Sequence, residues 1–255
     1  EGRSIIGAVK SRREILIWTD TALYSMQFVG PPYTFGLNLI NNGSGLASPT
    51  AAVATSTGVF WMGVDSFFVY TGSVQKMPCT VQSYVFDDIN TGQIFKTTAF
   101  SNARFDEVGW FYVSSSATEI DRYVCYDYKD NVWTYGELSR TAWLDQGIEA
   151  YPRATANNYL YEHEFGYNND GSPMTNVFIE SADFDISDGE SYAFISKIIP
   201  DLRFLNNSDG GKVNIVLKTR DYPGDSLTTN NTVAIDSSTQ KSDVRARSRQ
   251  AVLRF

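Results

Sequence analysis

Three groups of side chains have types and spacings that can do chemistry. Asp20 and Asp65 stand at matching turns, and two carboxylates flanking one bond are what glycoside hydrolysis requires. A residue repeated unit by unit serves the unit, however, and Asp at a tight turn caps its own backbone, so both are expected to be structural. Glu162-His163-Glu164 holds the single histidine. In a strand the two glutamates share one face and the imidazole points to the other, so the three cannot converge on one ion. Asp183, Asp185, Ser187, Asp188 and Gly189 have the look of a calcium loop. The glycine falls one position late, and Phe194 stands where a bidentate Glu belongs, so the segment reads as an acidic turn. No catalytic residue, no metal ligand and no cofactor is expected.

Two further groups suit contacts. Arg245, Arg247 and Arg249 alternate, which puts them on one face of a strand as a positive stripe. Such a stripe meets phosphate or an acidic neighbour, or else protects an edge from aggregation. The loop segments Gly30 to Gly36, with Pro31, Pro32, Tyr33 and Phe35, and Arg140 to Trp143, with Trp143, carry the aromatic and rigid residues that interfaces favour.

The elements that must hold these residues are strands. The 16 Phe, 15 Tyr and 5 Trp lie in short β-prone runs broken by Gly, Asn, Asp and Pro. Residues 14–18 and 23–28 predict a hairpin, with Asp20 in its turn. Residues 58–66 and 67–72 repeat it, with Asp65 in place of Asp20. A third unit runs 107–113, 122–128 and 132–135, turning at Asp130 and Asn131, and a fourth spans 158–166. Each follows a strand of small residues, with starts near 5, 51, 99 and 150, spaced by roughly 45 to 51 residues. That period marks propeller blades, because one small sheet cannot bury both faces until it stacks on a neighbour. One short helix is expected, within Phe86 to Lys96.

The blade pattern stops near 170–176. Longer strands are expected beyond it at 177–186, 193–199, 213–219, 232–235 and 251–255. The expected fold is all-β: about four blade-like units over 1–172, not necessarily a complete propeller, then a β-sandwich-like domain over 173–255. The last strand ends on apolar residues that predict further pairing, so the chain reads as a piece of something longer.

Composition limits the function classes. With 255 residues, 42% of them hydrophobic, the chain can bury a sizeable core. The 29 Asp and Glu against 21 Lys and Arg leave a net charge of -8, the wrong sign for coating nucleic acid. No apolar run approaches the roughly 18 residues of a membrane helix, and no membrane insertion is expected. The two cysteines, Cys79 and Cys125, admit at most one bridge and no disulfide framework.

Glu14 to Gly36, with its Ile-Leu-Ile-Trp-Thr-Asp-Thr-Ala-Leu-Tyr run, resembles the tail hub or nozzle proteins of short-tailed bacteriophages, also called packaged-DNA stabilisation or tail tubular proteins. Val59 to Gly72, Arg122 to Trp133, Arg140 to Trp143, Leu160 to Glu164 and Arg245 to Gln250 are similar to them too. The resemblance implies a virion protein, assembled in the host cytoplasm, that forms a hexameric ring between the tail adaptor and the tail fibre or spike proteins. It implies a channel through which genomic DNA passes without sequence recognition, held in the packaged particle and released at ejection. The alternative is a carbohydrate-binding or glycan-active propeller. Against it, Trp61, Trp110 and Trp133 fall within strands, where they serve a core, and the Ser-x-Asp-x-Gly-x-Thr-Trp boxes of sialidase-type propellers are missing.

Overall fold

The computed structural model describes residues 4–166, 168–185, 189–204 and 211–255. The chain divides into two compact units, 1–166 and 167–255.

Unit 1 is a series of antiparallel meanders. The first sheet is β1 (Ile5–Lys10), β2 (Ile15–Thr19), β3 (Ala22–Phe28) and β4 (Phe35–Asn42), each paired with the next. The second is β5 (Ala52–Ala54), β6 (Val59–Met62), β7 (Phe67–Tyr70) and β8 (Val74–Lys76). A connection holding helix α1 (Gln82–Asp88) and a 3-10 turn (Thr91–Lys96) leads to β9 (Thr98–Asn102), β10 (Glu107–Tyr112), β11 (Arg122–Asp127) and β12 (Val132–Glu137). The fourth has three strands, β13 (Ala142–Leu144), β14 (Arg153–Ala156) and β15 (Tyr159–Glu162). The first strands of successive sheets approach one another, β1 beside β5, β5 beside β9 and β9 beside β13. Sheets so related are the blades of a β-propeller.

Alternation within the strands explains why the blades stack. Leu16, Trp18 and Leu23 of blade 1 are buried against Trp61 and Met62 of blade 2, with the Trp18 and Trp61 rings edge to face at 5.3 Å. Phe67 of blade 2 packs on Trp110 and Trp133 of blade 3, at 4.8 Å from each. Trp110 Nε1 donates to the Ala51 carbonyl and Trp133 Nε1 to that of Pro78, which satisfies both buried indoles across the layer. Phe100 and Phe111 of blade 3 form a smaller layer with Trp143 of blade 4. Gly109 lets this layer close, because a Cβ there would lie 2.3 Å from the Phe100 ring.

Several elements differ from expectation. The single helix placed within 86–96 is two short elements, because Ile89 adopts an extended conformation and Asn90 Oδ1 accepts from Gly92 N to start the 3-10 turn. Phe35 opens β4 rather than ending a loop, and Trp143 lies on β13 rather than in a loop.

Unit 2 holds the hairpin β16 (Asn168–Asn169) and β17 (Ser172–Pro173), then β18 (Phe184–Asp185), β19 (Ala193–Ile198), β20 (Val213–Arg220), β21 (Thr228–Ile235), β22 (Ser242–Ser248) and β23 (Gln250–Arg254). One sheet has the order β18-β23-β20-β21, and a second pairs β19 with β22. Leu217 and Ala251 of the first sheet share a core with Val244 and Ala246 of the second, the sandwich principle at small scale. The strand expected over 177–186 is mostly irregular, though Ile179 and Ser181 bond the backbone of Phe255 and Leu253. The last strand is therefore interior, between β18 and β20. Ile186, Ser187 and Asp188 lie outside the described residues.

Candidate functional site

Asp20 and Asp65 are both exposed and both in turns. The hydroxyl of Thr19 closes the first turn, accepting from Ala22 N at 3.0 Å and donating to its carbonyl at 3.1 Å. In the second, Gly63 N bonds the Ser66 carbonyl, and the Asp65 carbonyl accepts from the Gln82 amide at 2.9 Å, tying blade 2 to α1. At the third, Asp127 Oδ1 accepts from the backbone N–H of Lys129 and Asp130, an Asx-turn. Asn131 takes the left-handed conformation (φ 59°), and its side chain accepts from the Tyr126 hydroxyl at 2.7 Å. Thr19 and Asp127 thus do capping work that the sequence assigned to their neighbours. The signal for each was present, a hydroxyl or carboxylate at the last residue of a strand, two to three residues before the N–H it caps.

His163 follows β15 and is mostly buried. Its Nε2 accepts from Arg140 Nε at 2.8 Å, while the guanidinium also bonds the Ser139 carbonyl and lies over the Tyr161 ring at 4.2 Å. Trp143 covers the imidazole at 4.8 Å and donates from Nε1 to the Ser101 carbonyl at 2.7 Å. Burial first, and the adjacent Arg140 charge second, lower the His163 pKa to about 4. At neutral pH the imidazole is an uncharged acceptor that ties the end of β15 to the connection before β13, while Trp143 makes the bond to blade 3. Trp143, expected to face a partner, is instead spent on this layer.

Glu162 and Glu164 face away from such chemistry. Glu162 lies 3.6 Å from Arg153, and Glu164 accepts from the Asn102 amide at 3.3 Å. Among the described residues no group of three or more His, Cys, Asp or Glu is placed to hold a metal ion. Asp183 pairs with Arg220, and Asp185 lies against Gly189. Cys79 and Cys125 are free thiols; burial raises Cys79 to about 11 and Cys125 well above its ordinary value.

One cluster was not anticipated. A depression of about 410 Å³ is lined by Ser83, Tyr84, Asp87, Asp88 and Arg122. Tyr84 on α1 packs against Tyr135 on β12 with ring centroids 4.1 Å apart. Arg122 pairs with Glu137 and lies 3.8 Å from Asp88. Tyr112, directly across from Arg122 in the sheet, is fully buried with no hydrogen-bond partner for its hydroxyl, and burial pushes its pKa far up. Aromatic faces beside carboxylates and a guanidinium can hold a polyhydroxylated or cationic group. The cluster joins three strands and a helix through residues 84 to 137, a separation that hides it from local pattern.

The remaining predicted contact residues are on the surface. The Pro31-Pro32 bond is cis in a turn closed by Val29 N to the Thr34 carbonyl, and Tyr33 and Phe35 are exposed. In unit 2, Arg245 and Arg247 project from β22 on the face opposite the buried Val244 and Ala246. Arg247 and Arg249 both lie over Tyr192, at 4.9 and 5.4 Å, and Arg249 also over Tyr222 at 5.2 Å. Arg247 and Arg249 of the stripe are thus held against aromatic faces.

No protein-family model matches the chain, and no curated protein is significantly similar to it. Among solved structures, it is similar to the WD40 domain of Pan2 from Neurospora crassa, at 12% identity and a TM-score of 0.35. That match covers 59% of this chain and 43% of the other. A likeness so slight carries no argument about function.

Proposed function

We propose that the chain is a non-catalytic building block of a short phage tail, a nozzle or hub ring that extends the DNA channel, retains packaged genome and lets it leave at ejection. What carries the reading is where the resemblance falls. Residues 14–36, 59–72, 122–133 and 160–164 are the strands and turns of four successive blades, so the shared pattern is one of construction. The groups with chemical potential are spent on the same task, His163 on the connection into blade 4, Trp143 between blades and Asp127 within a turn. A net charge of -8 suits a surface past which a polyanion slides, since few phosphates would be held. In this reading the partners are further copies in a hexameric ring, the tail adaptor, and the fibre or spike proteins. The test is fractionation of lysate from the source cells. The chain should sediment with virus particles at several copies each by quantitative mass spectrometry; recovery only from the soluble fraction would overturn the reading.

The depression beside Tyr84 and Tyr135 favours one alternative, a carbohydrate-binding propeller. It requires glycan-array binding that Tyr84→Ala abolishes. A blank array removes it.

A further inference from the structure

Blade 1 has a second face, mostly apolar across β2, β3 and β4, with Lys10 at its β1 border. Leu16, Trp18 and Leu23 point towards blade 2. On the opposite face the register aligns Ile15 with Met26 and Leu37, Ile17 with Tyr24 and Leu39, and Phe28 with Phe35. Phe35, Leu37 and Leu39 are 56%, 63% and 50% exposed. Their strand, β4, is an outer edge of eight residues without a single charge. The other outer strands are protected as edges usually are, β8 by its short length and Lys76, β12 by Glu137. A three-stranded apolar face ending in an uncharged edge is built to be covered by another sheet, as every inner blade face in this unit is.

We propose that this face docks on the outer face of blade 4 of a second copy. Trp143, Ala154 and Tyr161 share one face of blade 4, the face on which Trp143 meets blade 3, so by alternation Ala142, Leu144, Thr155 and Leu160 share the other. Leu144 and Leu160 are 66% and 64% exposed. Both outer faces are open in one molecule, so they do not cover each other there. The charges beside them are complementary. Lys10, Arg12 and Arg13 are exposed around the β1–β2 turn, where Glu14 holds Gln27 one residue from Phe28. Glu149 and Glu162 are exposed on blade 4, offset in part by Arg153. An excess of two positive charges therefore meets an excess of one negative charge. Two different faces make a head-to-tail contact, which closes into a ring or propagates.

The interface rests on the ring reading for the expectation that copies associate, and its test fails separately from that reading. One variant of the chain carries Phe35→Ser with Leu37→Ser, the other Leu144→Ser with Leu160→Ser. In mass photometry or light scattering the unaltered chain should form species larger than dimers, and each variant alone should be monomeric. Their mixture should give dimers and nothing larger, because one sound pair of faces remains. Where a serine variant loses its native circular dichroism, Arg12→Glu with Arg13→Glu decides instead. It should weaken association at least tenfold and regain it when mixed with Glu149→Lys, Glu162→Lys. An unaltered chain that stays monomeric to about 100 μM overturns the interface, whether or not the chain is found in virions. So does a mixture that fails to pair while the unaltered chain associates, the result for β4 pairing with β4.

Discussion

His163 is where a single proton should be felt across the fold. Its pKa is lowered to about 4 by burial and then by Arg140, against about 6.5 for an unfolded histidine. The unfolded chain therefore binds the proton first. Stability is fully present above pH 6.5 and is lost as the pH falls towards 4, by up to about 3 kcal/mol. Melting curves of the native chain and of His163→Gln, compared between pH 7 and 4, should show the steeper fall in the native chain. At this scale the cysteines give a second outcome. With Cys79 raised to about 11 and Cys125 higher still, both should resist iodoacetamide at pH 7.5 in the native protein. Both should be alkylated after unfolding, as intact-mass measurement will show. The clamp between Arg140 and His163 was not legible in the sequence, because 23 residues separate the partners and only the pairing of β13 with β14, and of β14 with β15, brings them together. The incompatibility of Glu162, His163 and Glu164 as joint ligands was legible, since it needs only the two-residue period of a strand.

Among the elements, the layers between blades carry the stability. Trp110 is fully buried, meets Phe67 and Trp133, and donates to Ala51. Trp110→Ala should cost about 3–5 kcal/mol in chemical denaturation. Gly109→Ala, although it adds one methyl group, should cost about 1–3 kcal/mol, because the new Cβ meets both the Phe100 ring and the Val124 carbonyl. The central strands of each blade were legible because aromatic runs between polar turns admit few other conformations. Strands β8 and β13 were not, since three residues are too few for a period to declare itself. Residues 35–42 alternate well, but the preceding Gly-Pro-Pro drew the loop further than the backbone carries it. Residues 177–183 fail in the opposite sense. Their composition suits a strand, but the chain runs past β23 with only scattered bonds.

For the whole molecule, the blade repeat was visible as a spacing, while the layers that make it a fold depend on contacts between distant rings such as Trp18 and Trp61. Those layers bury the tryptophans that a sugar platform would need to expose; the surface carries turns, the depression beside Tyr84 and Tyr135, the arginine stripe of unit 2, and the apolar outer faces of blades 1 and 4. The most direct test of the proposed tail role is electron microscopy of virus particles recovered from the source cells, labelled with an antibody fragment raised against the chain. The account predicts label at the short tail, arranged around its axis. Particles that bear no label, with the chain present in the lysate, would contradict it.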